Sequence, residues 1–312
     1  MRVGGRVSVP LPGGRQLSAL RWAGAGRPLV LLHGLFDCAH GWDVFARATH
    51  RPCVAFDLPG FGESDLPTRP RMSAYAQDIA DGVAALGLLD FTLVGHSLGG
   101  GTAAGVAERI PGSVCSLVLL APCGFGRIVV ADALSLPGAG LLVRTTMPYA
   151  LRNRWAAKEI YAAVVANGND PDPDVLARLQ NRASSVAPGA LSANRTIAAA
   201  GRSQTAYFRR CVAYDGPVRA LWGERDRLVP VAHIGGLRRA FPQADVTVWE
   251  AMGHHPQRER PVELSAYVEQ GALAARRRRR WQRAHPDASA GAGASSRQSR
   301  SLARRRSVLL VP

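Results

Sequence analysis

A single serine lies among four glycines in the stretch VGHSLGGG, residues 94–101. Gly95, Ser97 and Gly99 form the pattern GxSxG, directly after the apolar run FTLV and before a helical pattern. In that context the pattern predicts a sharp strand-to-helix turn, where only glycine lets the two backbones approach closely. The helix N-terminus would favour negative charge developing beside the hydroxyl. Ser97 is therefore the candidate nucleophile.

A serine hydroxyl is a weak nucleophile, so it needs a base that takes its proton and an acid that orients the base. Asp226 follows the apolar run VRALW, and His254 follows the run DVTVWE. The order serine, acid, histidine along the chain occurs in one known hydrolytic architecture. The 28 positions from Asp226 to His254 leave room for one helix and one strand. We predict a triad of Ser97, Asp226 and His254.

The oxyanion formed when a serine attacks a carbonyl needs two preorganised donors, and backbone N–H groups serve best. The N–H of Leu98, directly after the nucleophile, is the first candidate. The apolar run LVLLHG ends with His33 and Gly34, so the loop after it can supply the second. We predict that Leu35 supplies it, with Phe36 as the weaker alternative.

The triad must be positioned by a scaffold of alternating strands and helices. Six short apolar runs end in turn signals, and patterns with helical periodicity separate most of them. The runs are RPLVLLHG, CVAFDLPG, FTLVGHS, VCSLVLLAP, VRALWGE and DVTVWEA. Runs without polar alternation are typical of strands buried on both faces, so we predict an α/β fold with a mainly parallel sheet flanked by helices.

One interval breaks this alternation. Residues 124–213 contain no clear strand but include helical stretches, which predicts a helical cap inserted into the core. The core would then consist of residues 1–123 and 214–275. Residues 276–312 are rich in Arg, Ser, Ala and Gly, and this composition predicts a disordered tail.

The formal net charge of +16 does not by itself indicate nucleic-acid binding, because much of it lies in the predicted tail. Residues 276–312 carry eleven arginines and one acid, whereas the rest of the chain carries 28 basic and 22 acidic groups. Such a tail could make weak electrostatic contacts with anionic membranes, and no specific nucleic-acid partner is expected. The composition leaves the oligomeric state open.

The five cysteines are widely spaced and form no CxxC pair, so neither a disulfide framework nor a zinc site is predicted. No apolar stretch approaches the roughly 20 residues of a membrane-spanning helix, and the N-terminal residues lack a signal-peptide pattern. These features favour a cytoplasmic protein. Cys123, just past a strand end, is interpreted as a structural thiol.

The segments HGLFD, DLPGFGESD, GHSLGGG, WGERDRLVP and GHHPQRERP together resemble the α/β-hydrolase superfamily. The similarity extends over roughly residues 15–270, and is greatest to the capped, cofactor-free serine hydrolases. The resemblance implies Asp226 as the acid, no cofactor or metal, and a cap after the VCSLVLLAP strand. Its GHxPxxExP pattern favours His254 over His255, and it implies a structural role for the loop that carries Glu63 and Asp65.

These observations predict a carboxylesterase-like hydrolase that cleaves a small to medium apolar ester or thioester through an acyl-enzyme. A carbon–carbon bond hydrolase or an acyltransferase would use the same triad, and both remain alternatives. Less favoured is a non-catalytic binding protein of this fold. Phe36, Trp42 and Trp155 are the candidate substrate contacts. Other cap aromatics, which could equally pack the cap onto the core, are Tyr149, Tyr161, Tyr207 and Phe208.

Overall fold

The computed structural model of the 312-residue chain describes most of the predicted core and one helix of the predicted cap. The described residues are 3–35, 37–69, 71–128, 152–164 and 211–270, together with positions 132, 138, 146, 149 and 150. The remaining residues of the predicted cap and the predicted tail lie outside them. The division of the chain into core, cap and tail therefore stays a prediction.

Eight strands form one sheet in the order β1-β2-β4-β3-β5-β6-β7-β8. The strands are β1 (Val3–Pro10), β2 (Gln16–Trp22), β3 (Leu29–Leu32), β4 (Cys53–Phe56), β5 (Phe91–His96), β6 (Val114–Leu120), β7 (Val218–Gly223) and β8 (Asp245–Trp249). All pairs from β4 to β8 are parallel, whereas β1 pairs with β2 and β2 with β4 in antiparallel fashion. The predicted fold class is confirmed.

Six α-helices have defined bounds in the described residues, and a further helix covers residues 261–270. The six are α1 (Asp43–Ala48), α2 (Met72–Ala85), α3 (Leu98–Arg109), α4 (Arg154–Val164), α5 (Ile234–Ala240) and α6 (Pro256–Glu259). Three short 3-10 segments, Pro12–Gly14, Ala39–Trp42 and Val231–His233, complete the regular structure. No helix within the described ranges is long and apolar enough to cross a bilayer.

The sheet is covered on both faces, which explains why its central strands are continuously apolar. Every residue of β3, β4, β5 and β6 is buried. One apolar cluster contains Val30 and Leu93 with residues of α2 and α3, and the other contains Leu31 and Val94 with Phe45 of α1. Alternate residues of one strand therefore enter opposite cores, as the two-residue period of a strand requires.

The six predicted strands all form, each within its apolar run, and they become β3 to β8. The N-terminal hairpin of β1 and β2 was not predicted. Its burial pattern is uneven, and Arg6 of β1 uses its guanidinium to bind Asp57 at the end of β4. Both strands mix polar and apolar residues without a continuous apolar run, so periodicity gave no signal for the hairpin.

Candidate active site

Ser97 lies at a strained turn between β5 and α3. Its backbone has φ 53° and ψ −114°, a region that residues with side chains rarely adopt. A Cβ added at Gly95 would lie 2.4 Å from the carbonyl oxygen of Gly99, and one added at Gly99 would lie 2.3 Å from that of Leu32. The two glycines of the motif are therefore required by close backbone packing on both sides of the serine.

Main-chain hydrogen bonds hold this turn in place. The N–H of Ser97 donates to the carbonyl of Leu120 at the end of β6 (2.9 Å). The Ser97 carbonyl accepts N–H groups from Gly100 (3.0 Å), Gly101 (3.1 Å) and Cys123 (2.9 Å). The backbone around the serine is thus anchored to its own helix and to the neighbouring strand, which offsets the unfavourable φ.

The predicted base and acid are in direct contact. His254 Nδ1 lies 2.6 Å from Asp226 Oδ2, and both side chains are almost completely buried. The other carboxylate oxygen, Oδ1, accepts the N–H groups of Leu228 and Val229, each at 2.9 Å. A carboxylate only accepts, so Nδ1 of His254 carries a proton, and in the neutral imidazole Nε2 then keeps its lone pair. That tautomer is the one a general base requires.

The loop after β8 is held by a carboxylate. Glu259 of α6 accepts the N–H of Gly253 through Oε2 (2.8 Å) and the N–H of His255 through Oε1 (2.9 Å). These two amides lie on either side of His254, so one side chain sets the backbone path through the candidate base. The GHxPxxExP pattern contained Glu259, but its spacing did not reveal this function.

His255 has different surroundings from His254. Its Nε2 is buried and has no hydrogen-bond partner among the described residues, and its Nδ1 lies 3.4 Å from Gln257 Nε2. Burial, with positive charge nearby on Arg258, lowers the pKa of His255 well below its usual value. Of the two adjacent histidines, His254 is the one that contacts Asp226, and its role as the base stays a prediction.

Three buried imidazoles meet here. The rings of His96, His254 and His255 lie 4.6 to 5.1 Å apart, centroid to centroid. One nitrogen from each lies within 4.8 Å of the others, a spacing compatible with a metal ion. However, Nδ1 of His254 faces Asp226, and Nε2 of His96 faces the His254 carbonyl. These hydrogen bonds favour a polar network over a metal site.

The loop predicted to supply the second oxyanion donor is ordered by His33. Its Nδ1 lies 2.7 Å from the Gly34 carbonyl, and its Nε2 accepts the N–H of Leu58 (2.9 Å). The carbonyl only accepts, so His33 is protonated at Nδ1. Because a trans peptide directs its C=O and N–H to opposite sides, the N–H of Leu35 points away from the His33 ring.

Gly34 brings this loop against the nucleophile, since a Cβ built on it would lie 3.2 Å from the Cβ of Ser97. Leu98 is the first residue of α3, where N–H groups have no partner within the helix. Leu98 therefore directly follows the serine, and Leu35 directly follows the glycine that packs against it. The roles of their N–H groups as oxyanion donors stay predictions. Phe36, the alternative donor and a candidate substrate contact, lies outside the described residues.

One contact joins two of the loops around the site. Arg258 of α6 donates to Asp37 Oδ1 (2.8 Å), which connects the loop after β8 to the loop after β3. Both side chains are largely buried. No local pattern signals a pair whose members are 221 positions apart.

The loop after β4 has the structural role implied by the resemblance. Asp57 is completely buried and accepts N–H groups from Ala39 (2.7 Å) and Glu63 (3.1 Å). Glu63 pairs with Arg6 at the surface (3.2 Å), and Asp65 accepts the N–H of Gln16 (2.8 Å). These acids hold loops together.

The candidate substrate contacts have contrasting surroundings. Trp42 is completely buried and packs edge-on against Phe45 in the core between α1 and the sheet, which favours a structural role. Trp155 of α4 is 72% exposed, as is Tyr149. Burial raises the pKa of Cys123 to about 12, in agreement with its interpretation as a structural thiol. Tyr207, Phe208 and the side chain of Tyr161 lie outside the described part of the chain.

Known proteins are similar to this chain over most of the described core. The sequence profile of the alpha/beta hydrolase fold family matches residues 27–261. An uncharacterised protein of Mycobacterium tuberculosis is 31% identical over 262 residues, which cover 80% of this chain and 76% of the relative. The dihydrolipoyllysine-residue acetyltransferase component of the acetoin cleaving system of Pseudomonas putida is 30% identical over 258 residues. The matched region covers 79% of this chain and 64% of the relative.

Solved structures of other proteins have a similar fold. A bacterial membrane phospholipase A superposes with a TM-score of 0.67 at 28% identity, covering 87% of this chain and 86% of its own. A putative lipase from Acinetobacter baumannii gives 0.70 at 21% identity, covering 88% and 93% respectively. At that identity the second structure supports the fold alone.

Proposed function

Because this chain belongs to the alpha/beta hydrolase fold family, we propose that it is a serine hydrolase that cleaves a carboxylic ester or thioester through an acyl-enzyme on Ser97. The observation that carries this proposal is the 2.6 Å hydrogen bond between His254 Nδ1 and Asp226 Oδ2. In the neutral imidazole this bond leaves the lone pair on Nε2, and the loop that carries His254 contacts His96, the residue directly before the serine.

In the proposed reaction, Ser97 Oγ attacks the carbonyl carbon while His254 Nε2 takes the hydroxyl proton. The Oγ–carbon bond forms, and the carbonyl electron pair moves to oxygen. When the tetrahedral intermediate collapses, the bond to the leaving alcohol or thiol breaks and His254 returns the proton to that group. Water then repeats the sequence on the acyl-enzyme, releasing the acid and restoring Ser97. Asp226 stabilises the imidazolium in both halves.

The N–H groups of Leu98 and Leu35 are the proposed donors to the oxyanion. Two features support them: the N-terminal position of Leu98 in α3, and the peptide between Gly34 and Leu35, whose carbonyl is held by His33. Donors fixed before the reaction need no reorganisation when charge develops on the oxygen. The acyl-enzyme step would gain its electrostatic stabilisation here.

Transfer of the acyl group to an acceptor other than water is the second candidate function. The observation in its favour is the acetyltransferase component of Pseudomonas putida, to which this chain is 30% identical over 258 residues. Attack by an alcohol or thiol on the acyl-enzyme would use the same base and the same oxyanion donors, so the two functions differ only in the final nucleophile.

A panel of p-nitrophenyl esters of increasing acyl length tests the proposal with wild-type protein and with Ser97→Ala. We expect the variant to lose at least about three orders of magnitude in kcat/KM, because no nucleophile remains, and to keep its thermal unfolding temperature. Wild-type activity in Ser97→Ala would contradict the proposed mechanism through an acyl-enzyme on Ser97.

Adding a short alcohol or thiol to the wild-type assay separates the two candidates. If hydrolysis is the function, p-nitrophenol release should follow acid release one for one. A new ester or thioester, formed at the expense of the free acid, would favour acyl transfer.

A further inference from the structure

His96 makes a hydrogen bond to the main chain of the candidate base. Its Nε2 lies 2.8 Å from the carbonyl oxygen of His254, across 158 positions of sequence. A carbonyl oxygen only accepts, so Nε2 of His96 carries a proton and donates it. The proposed triad does not use His96, although this residue directly precedes Ser97 and is completely buried.

The other ring nitrogen of His96 agrees with this tautomer. Nδ1 lies 3.3 Å from the amide nitrogen of Gln257, which can only donate, so Nδ1 must accept. The same amide lies 3.4 Å from Nδ1 of His255. Its two hydrogens can therefore serve both imidazoles. Gln257 is 1% exposed, so water has little access to these groups.

The position of His96 connects three parts of the site. It lies in the chain next to Ser97, it binds the loop that carries His254, and its Nδ1 would be only 2.8 Å from a Cβ added at Gly34. His96 is therefore in contact with the loop after β3, the turn after β5 and the loop after β8. These are the three segments that carry the proposed donors, nucleophile and base.

His96 is poorly suited to exchange protons itself. Burial, the largest cause, lowers its pKa well below the usual value, and the nearby His254, Arg258 and His33 lower it further. The hydrogen bond to the His254 carbonyl opposes this shift but does not reverse it. An imidazole that stays uncharged acts as a fixed donor.

We propose that His96 is a positioning residue: its Nε2–H holds the main-chain carbonyl of His254, and Gln257 secures the required tautomer. The proposal rests on the proposed function, because it concerns the alignment of His254 with Ser97. His254 lies in a loop, and displacing a reacting group by about 1 Å can reduce the rate about 100-fold. The hydrogen bond from His96 opposes such a displacement.

Two substitutions at His96 separate donation from space filling. His96→Gln places an amide nitrogen the same number of bonds from Cβ as Nε2, so it can still donate, whereas His96→Met fills space without a donor. We expect kcat for a p-nitrophenyl ester to fall about 10- to 100-fold in His96→Met and to stay within about fivefold of wild type in His96→Gln. KM should change less than about threefold in both, because neither substitution removes a proposed substrate contact.

His255→Met is the matched control. It removes another buried imidazole of the same cluster, but one that makes no recorded side-chain hydrogen bond to His254. We expect its kcat to stay within about threefold of wild type, because the His96–His254 bond remains. A loss equal to that of His96→Met would attribute the effect to packing and overturn the proposal. A wild-type kcat in a folded His96→Met variant would also overturn the proposal. A loss of kcat in His96→Gln equal to the loss in His96→Met would do the same.

A second measurement does not depend on any variant folding. In protein labelled with ¹⁵N-histidine, long-range ¹H–¹⁵N spectra should show His96 as the Nε2–H tautomer and unchanged between about pH 5 and 8. A signal from the Nδ1–H tautomer, or titration near pH 6.5, would overturn the assignment. If Ser97→Ala keeps activity, the proposed function fails. If only the His96 tests fail, the triad stands without this residue.

Discussion

The turn after β5 and the loop after β8 position two partners of one proposed reaction by different means. Around Ser97 the restraint is the backbone: glycines packed against main-chain atoms, and four main-chain hydrogen bonds. Around His254 the restraint comes mainly from side chains, because Asp226 binds the ring and Glu259 binds the amides on either side.

This difference affects how each region tolerates change. A backbone restraint depends on residue size, so even one added methyl group at a packed glycine should disturb it. A side-chain restraint depends on charge and hydrogen-bonding capacity, so a substitution of equal size but different chemistry should disturb it. Each region can therefore be tested with the kind of substitution to which it should be most sensitive.

The largest expected effect distinguishes the two adjacent histidines of the loop after β8. His254→Ala should reduce kcat/KM for a p-nitrophenyl ester by at least about 1,000-fold, because the residues of a triad act as a unit. His255→Ala should reduce it less than about tenfold, since this ring makes no recorded bond to Asp226. The reverse ranking would show that the base has been assigned to the wrong histidine.

The next effect tests the backbone restraint. In Gly99→Ala the new Cβ would lie 2.3 Å from the Leu32 oxygen and 2.5 Å from the His33 oxygen, and main-chain atoms cannot rotate away. We expect the free energy of unfolding to fall by about 1–3 kcal/mol, with a loss of turnover, because the turn must shift. Gly112→Ala is the control, since nothing lies within 4 Å of its added Cβ. Equal stability of the two variants would contradict the packing argument.

A smaller effect tests the side-chain restraint. Glu259→Gln keeps the size of the side chain but places an amide N–H₂ opposite a backbone N–H. We expect a loss of about 1–3 kcal/mol in stability, because one buried donor loses its partner, and about a 5- to 20-fold lower kcat. Glu263→Gln serves as the control because its side chain is 62% exposed and pairs only with Arg260 at 3.5 Å among the recorded ion pairs. If both variants behave alike, Glu259 does not position the loop.

The smallest expected effect concerns the folding stability at low pH. Burial lowers the pKa of His255 in the folded chain, with further lowering by His96, His254 and Arg258, whereas in the unfolded chain its pKa is about 6.5. Above that pH both states are neutral, and below it only the unfolded state gains a proton, so stability falls as the pH falls. Between pH 6.5 and 5.5, His255→Gln should lose about 1 kcal/mol less stability than wild type in denaturant titrations. An unchanged pH dependence would indicate that His255 takes up protons to the same extent in the folded and unfolded chain.

The sequence alone determined the six parallel strands β3 to β8, the fold class and the positions of Ser97, Asp226 and His254 relative to strand ends. These follow from local causes. An apolar run with no polar alternation is typical of a strand buried on both faces, as β3 to β6 are, whereas β8 at the edge of the sheet is only partly buried. The glycines around Ser97 are needed by one turn. Since parallel strands end at the same edge of a sheet, residues just after those strands come together there.

Only the tertiary structure decided which groups touch. The bond from His96 to the His254 carbonyl and the pair of Arg258 with Asp37 join residues 158 and 221 positions apart. The antiparallel hairpin of β1 and β2 is a similar case, because Arg6 is placed by the buried carboxylate of Asp57. Hydrogen bonds depend on distances of a few tenths of an ångström and on direction, which folding of the whole sheet sets and which no spacing in the sequence encodes.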